Sequence, residues 1–220
     1  MSIMKSQRFF PLFMTQFLGA FNDNLFKNAM VMLITFSLAA QAEMDEQLLV
    51  TIAAGVFILP FFLFSATAGQ FADKHDKAKL ARIIKQAEIF FMLLAAAAFL
   101  LKSIWLLMAV LFCMGAQSAF FGPIKYAILP QHLNDEEVLG GTGLVEAGTY
   151  IAILLGTILA GWIPVEVAGI AGVLTAIIGY FTGRQVPPAP PMTEATKLDF
   201  NFIRASIALI KATTRVRRVF

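Results

Sequence analysis

Six runs of mostly apolar residues follow one another in this chain, at 9–38, 48–71, 83–101, 104–129, 140–163 and 165–183. An α-helix rises about 1.5 Å per residue, so roughly 20 such residues cross the ~30 Å hydrocarbon layer of a bilayer. Lipid offers nothing to a bare N–H or C=O, and a helix satisfies both groups within itself. The pattern therefore predicts an all-α, polytopic bundle of six helices with short connections. The first run is too long for a cleaved leader and lacks a small-residue cleavage site, so it reads as a retained span.

Composition agrees. Of 220 residues, 59% are hydrophobic and 14% charged, and the mean hydropathy is +0.76. Soluble domains run at about 45–50% apolar and about 25% charged, because they need a polar skin that a lipid-facing protein lacks. Phe occurs 22 times, as suits helices that face acyl chains. A single cysteine, Cys113, excludes an internal disulfide and a Cys-type metal site. No cofactor is expected. The pI near 9.1 does not point to nucleic acid, since the basic residues cluster beside the spans.

Lys and Arg placement sets the orientation. Lys5 and Arg8, then Lys74, Lys77, Lys79 and Arg82, then Arg184 fall on one side, whereas the other side holds Lys102 and the acidic Glu43, Asp45 and Glu46. An amino terminus in the cytoplasm is expected. The domain reading is a six-helix half-transporter unit over 1–184 and a stiff proline-rich linker over 185–198. A basic amphipathic helix over 199–220 then lies against anionic headgroups and leads to a second half.

A charge near the bilayer centre costs at least about 2.5–3.5 kcal/mol, so each one needs a reason. Asp23 sits within Phe21-Asn-Asp-Asn24 and shares one helical stripe with Gln16, Ala20 and Lys27. Such a stripe lines a cavity, and Asn22, Asn24 and Gln117 are placed with it. Alternatively, Asp23 and Lys27 simply neutralise each other four residues apart. Lys125 and Glu146 lie at equal depth on consecutive antiparallel helices, so a contact is expected. Two readings stand for Lys125: a substrate or gating role, or a plain anchor that snorkels to the interface. Thr142, Glu146, Thr149 or Tyr150, and Thr157 continue a polar stripe, with Tyr150 taken into the site. Ala152, Gly156 and Ala160 mark a close helix contact. Lys85 and Glu88, three apart, read as a structural ion pair.

The loop after the second run is Gly69-Gln-Phe-Ala-Asp73-Lys-His-Asp76-Lys77-Ala-Lys79-Leu80. By spacing alone it is an ordinary positive-inside loop. It also resembles the loop signature of the major facilitator superfamily, with Asp76 where that family usually has Gly. The resemblance implies one half of a twelve-helix fold and a gating role for Gly69, Asp73, Lys77 and Lys79. Gln16-Phe-Leu-Gly-Ala-Phe-Asn-Asp-Asn24, Gly122-Pro-Ile-Lys-Tyr-Ala-Ile-Leu129 and Gly143-Leu-Val-Glu-Ala147 resemble, within it, the bacterial lysophospholipid transporters. What that implies is movement of lysophospholipid across the bacterial inner membrane by alternating access. The expected partners are membrane lipids, the carboxyl-terminal half and a fused or adjacent acyltransferase/ligase.

Three rivals stand beside it. A transporter of another small molecule or drug fits the same fold. A non-transporting membrane anchor or scaffold for a fused phospholipid acyltransferase/ligase domain needs no aligned intramembrane charges. An enzyme needs a base, nucleophile or metal cluster, and the two histidines lie in loops, with the acyltransferase spacing absent after both His75 and His132.

Overall fold

A computed structural model describes residues 3–38 and 45–191, and among them every regular element is helical. A short 3-10 turn at Ile3–Lys5 precedes six helices: α1 Phe10–Leu33, α2 Glu46–Lys74, α3 Lys77–Leu101, α4 Ile104–His132, α5 Asp135–Trp162 and α6 Val165–Arg184. A π-helical turn, Ile34–Leu38, extends α1. The acidic Glu43, the proline-rich stretch beyond 191 and the amphipathic helix expected over 199–220 lie outside the described residues.

The polar residues at the joints explain where the helices start. Asp45 accepts the Leu48 amide at 2.9 Å, Asp76 that of Lys79 at 3.0 Å, and the Asn134 amide donates to Glu137 at 3.0 Å. Each supplies a partner to a backbone group that a helix end leaves bare. Asp76, the departure from the loop signature, is thus the cap that starts α3. Between α3 and α4 the chain turns at Lys102, which takes a left-handed conformation (φ 49°). Its amide and that of Ser103 return to Phe99 and Ala98, both at 3.2 Å. Pro164 separates α5 from α6.

Five of the helices, α2 to α6, are long and apolar enough to cross a membrane. The chain is a multi-pass membrane protein. Helix α1 has the length, 24 residues, but seven polar positions from Thr15 to Asn28 dilute its hydropathy. Its place in the bundle explains them: α1 packs between α5 and α6, α6 on α3, α3 on α4, and α4 on α2. The most polar helix is therefore the most enclosed by protein. Gly156 makes the α1–α5 contact possible, since a Cβ there would stand 2.5 Å from the Phe21 carbonyl oxygen. Ala152, Gly156 and Ala160 are all buried along that seam.

Two apolar clusters hold the ends of the bundle. One gathers Leu25, Met30, Phe99, Leu111 and Met114, and the other Phe9, Leu12, Ile128, Leu129 and Val186. Large apolar side chains such as Phe62, Leu100, Trp105, Leu154 and Trp162 face outward. Such a surface belongs in lipid.

The start of the proline-rich stretch does not leave the bundle. It folds back as a strap over the ends of α3 and α4, with Val186 and Ala189 buried. The Lys77 amide donates to Ala189 O at 2.9 Å and its ammonium to Pro190 O at 3.2 Å. Arg82 donates to Val186 O at 3.0 Å, and Gln131 Nε2 to Pro190 O and His132 Nε2 to Pro188 O at 3.2 Å each. Prolines donate nothing themselves but leave their carbonyls free, which suits them to this role.

Candidate functional site

Helices α1 to α5 enclose a cavity of about 380 Å3, and α6 contributes nothing to its lining. Its walls alternate in kind. Phe57, Phe61, Phe121 and Ile153 supply apolar surface, whereas Gln16, Asp23, Asn24, Lys27, Lys85, Glu88, Gln117, Ser118, Lys125 and Thr149 supply polar groups.

The stripe on α1 reaches this cavity. Gln16 bridges α1 to α5, its Nε2 donating to Val145 O at 3.2 Å and its Oε1 accepting from the Thr149 hydroxyl at 2.8 Å. Asp23, 9% exposed, accepts from the Ser118 hydroxyl through Oδ2 at 2.5 Å. Its Oδ1 has no hydrogen-bond partner among the described residues.

The alternative reading, a close ion pair between Asp23 and Lys27, is not what the side chains form. Among the described residues, the ion pairs within 4.0 Å are Arg8–Glu137, Lys85–Glu88 and Lys125–Glu146. The Lys27 ammonium turns instead to Asn24 Oδ1 at 3.0 Å and lies 5.4 Å from the centre of the Phe57 ring. Asp23 and Lys27 stand on one cavity wall, neither in an ion pair within 4.0 Å among the described residues.

Lys125 and Glu146 do meet, at 4.0 Å. Tyr126 completes the group: its hydroxyl donates to Glu146, and the Lys125 ammonium sits 4.7 Å from its ring centre. Lys125 lines the cavity and Glu146 stands behind it, outside the lining. Gln117 is 8% exposed and lines the cavity, and its Oε1 has no partner among the described residues.

Other expected site residues are placed elsewhere. Asn22 is fully buried away from the cavity, donating to Glu88 Oε1 at 2.9 Å. Tyr150 is 68% exposed and is not in the lining; its neighbour Thr149 takes the inward position, because one residue rotates a helical side chain by about 100°. In the signature loop, Asp73 and Lys79 are exposed, whereas Lys77 is buried beneath the strap. Gly69 has open space around it.

Sequence reasoning missed one pair as cavity residues. Lys85 and Glu88 form a 2.6 Å ion pair, 2% and 1% exposed, and both line the cavity. The i,i+3 spacing reveals the pair but not the direction it faces.

The structure is thus a six-helix membrane unit with an enclosed first helix and charged groups around a shared hollow. The sequence profile of the Major Facilitator Superfamily matches residues 12–219, and the chain belongs to that family. It is similar to proteins named lysophospholipid transporter LplT. It is 33% identical over 150 residues to that of Photorhabdus laumondii, covering 68% of this chain and 34% of that protein. With that of an Enterobacter species it shares 30% over 165 residues, covering 73% and 38%. With that of Serratia proteamaculans it shares 26% over 204 residues, covering 89% and 48%. The chain thus spans between a third and a half of the length of these relatives.

Proposed function

We propose that the chain is the amino-terminal half of a lysophospholipid transporter, and that it works by alternating access rather than by catalysis. The observation that carries this reading is the cavity's split character. Phe57, Phe61 and Phe121 share it with an acid, Asp23, and a cation, Lys27, that lack ionic partners among the described residues. A lysolipid presents the same split: one acyl chain, and a headgroup carrying a phosphate and often an amine. Lys125 attracts the phosphate near Glu146, and Asp23 receives an amine. A carrier site near the midplane between two halves is the arrangement such folds use.

In this reading the second half closes the open side of the cavity. The amino terminus and the Asp73–Lys79 loop face the cytoplasm of a bacterium, the protein sits in the inner membrane, and the exposed Asp73 and Lys79 make closing contacts with the second half. An acyltransferase/ligase, fused or adjacent, would take up the delivered lipid.

The test is uptake of labelled lysophosphatidylethanolamine by spheroplasts making the full-length protein, wild type against Asp23→Asn. Uptake by wild type and its loss in the variant is the expected result. Normal uptake by the variant removes Asp23 from the mechanism. No uptake by wild type, with uptake of a different small solute, moves the assignment to another substrate.

A further inference from the structure

The Lys85 side chain reaches the cavity by an unusual route. It starts on α3 and passes between α1 and α6 at three glycines. A Cβ at Gly19 would stand 2.6 Å from its ammonium, one at Gly179 3.7 Å from it, and one at Gly183 3.6 Å from its Cγ. Its ammonium ends among the lining residues, 2.6 Å from Glu88 Oε2 and 5.4 Å from the centre of the Phe121 ring.

Both members of this pair keep hydrogen-bonding capacity. Glu88 accepts from Asn22 on one oxygen and from Lys85 on the other. An ammonium has three donors, and Glu88 is its only hydrogen-bond acceptor among the described residues. Two N–H groups of Lys85 are therefore left for a ligand in the cavity, while each Glu88 oxygen already has one donor. Three ammonium groups (Lys27, Lys85 and Lys125) line the cavity with two carboxylates, Asp23 and Glu88, and Glu146 stands behind Lys125 as a third. The spare N–H groups of Lys85, not the net charge, are what suit an anion. Removed from water, a donor holds an anion more strongly than an exposed lysine does.

We propose that Lys85 is the deep phosphate-binding group of the cavity, reached after Lys125, and that Gly19 keeps its position open. Lys125 is partly exposed and shares Glu146 with Tyr126, which suits a group that admits and releases. Lys85 is fixed by the glycine passage and by Glu88, which suits a group that holds. This assignment rests on the phosphate-bearing ligand proposed above.

The full-length transporter in detergent tests it, with binding of lysophosphatidylethanolamine compared with binding of monoacylglycerol, which has the chain but no phosphate. Lys85→Met alone would strand a buried carboxylate, so the variant is Lys85→Met with Glu88→Gln, which keeps an acceptor for Asn22. The double variant is expected to stay folded by thermal unfolding and to bind the phospholipid at least about tenfold more weakly, with monoacylglycerol binding unchanged. Gly19→Ala is a second route, since its Cβ displaces only the flexible end of Lys85; it should show the same selective loss. Wild-type affinity for the phospholipid in a folded double variant or in Gly19→Ala overturns the role of Lys85 and leaves the transporter reading intact. Equal loss for both ligands makes the pair structural and also overturns it. A wild-type protein that binds no lysolipid sinks both.

Discussion

The side-chain amide of Asn22 in α1 is bonded at 2.9 Å to the carboxylate of Glu88 in α3, so a helix pair that is not adjacent in sequence is tied through an ionised group buried in the bundle. Glu88 carries Lys85 on its other oxygen. Removing one member of a buried pair leaves an uncompensated charge, which costs about 3–5 kcal/mol. Glu88→Leu should therefore lower the thermal unfolding midpoint in detergent sharply. The double change Lys85→Met with Glu88→Gln should recover most of that loss. A single variant as stable as the double one would show that the pair is not a unit.

The seam between α1 and α5 gives a second expectation. At Gly156 a Cβ would meet the Phe21 carbonyl oxygen, which is backbone and cannot swing aside. Gly156→Leu should destabilise by about 1–3 kcal/mol or more, the usual range for forcing volume into a packed seam. Gly143→Leu on the same helix, with nothing within 4 Å, should stay within about 0.5 kcal/mol of wild type. Thermal unfolding of the two variants side by side reads the contrast.

Gln16 joins the same two helices by hydrogen bonds. Gln16→Leu removes the donor to Val145 O and the acceptor of Thr149. The Thr149 hydroxyl can turn to Val145 O, 2.8 Å away, so it is not orphaned. The expected loss is about 1 kcal/mol, smaller than that of Gly156→Leu. A loss larger than the glycine variant's would mean that hydrogen bonding, not close approach, holds this seam.

Releasing the strap should be visible without any transport assay. Lys77 and Arg82 each donate from a charged side chain to a strap carbonyl, and bonds from charged groups are worth about 1.5–3 kcal/mol each. Lys77→Met with Arg82→Met should speed hydrogen exchange at the Lys77 amide, which is bonded to Ala189 O, by about tenfold or more. Exchange at the centre of α4 should not change. An unaltered rate at Lys77 would mean that burial of Val186 and Ala189 alone keeps the strap down.

Much of this architecture was legible because bilayer thickness dictates run length, and α2 to α6 follow their apolar runs closely. The Lys125–Glu146 contact was legible too, since depth in a membrane can be counted from either end of an antiparallel pair. Rotation about a helix axis was not. From residue 83 onward helix α3 is apolar nearly all round apart from Lys85, Gln86 and Glu88, so nothing in its pattern tells lipid from cavity. The same blindness put Tyr150 in the site where Thr149 faces inward. For Asp23 and Lys27, spacing allowed an ion pair, but Asn24 and Phe57 offered the ammonium another seat. The docking of 186–190 was hidden for a different reason: its acceptors are main-chain carbonyls, which every sequence possesses.

That docking changes where a hinge can begin. With Val186, Pro188, Ala189 and Pro190 anchored to α3 and α4, the tether toward any following unit is paid out from beside these two helices, not from the end of α6. Residues inserted just after Arg184 would peel this segment from its moorings on α3 and α4.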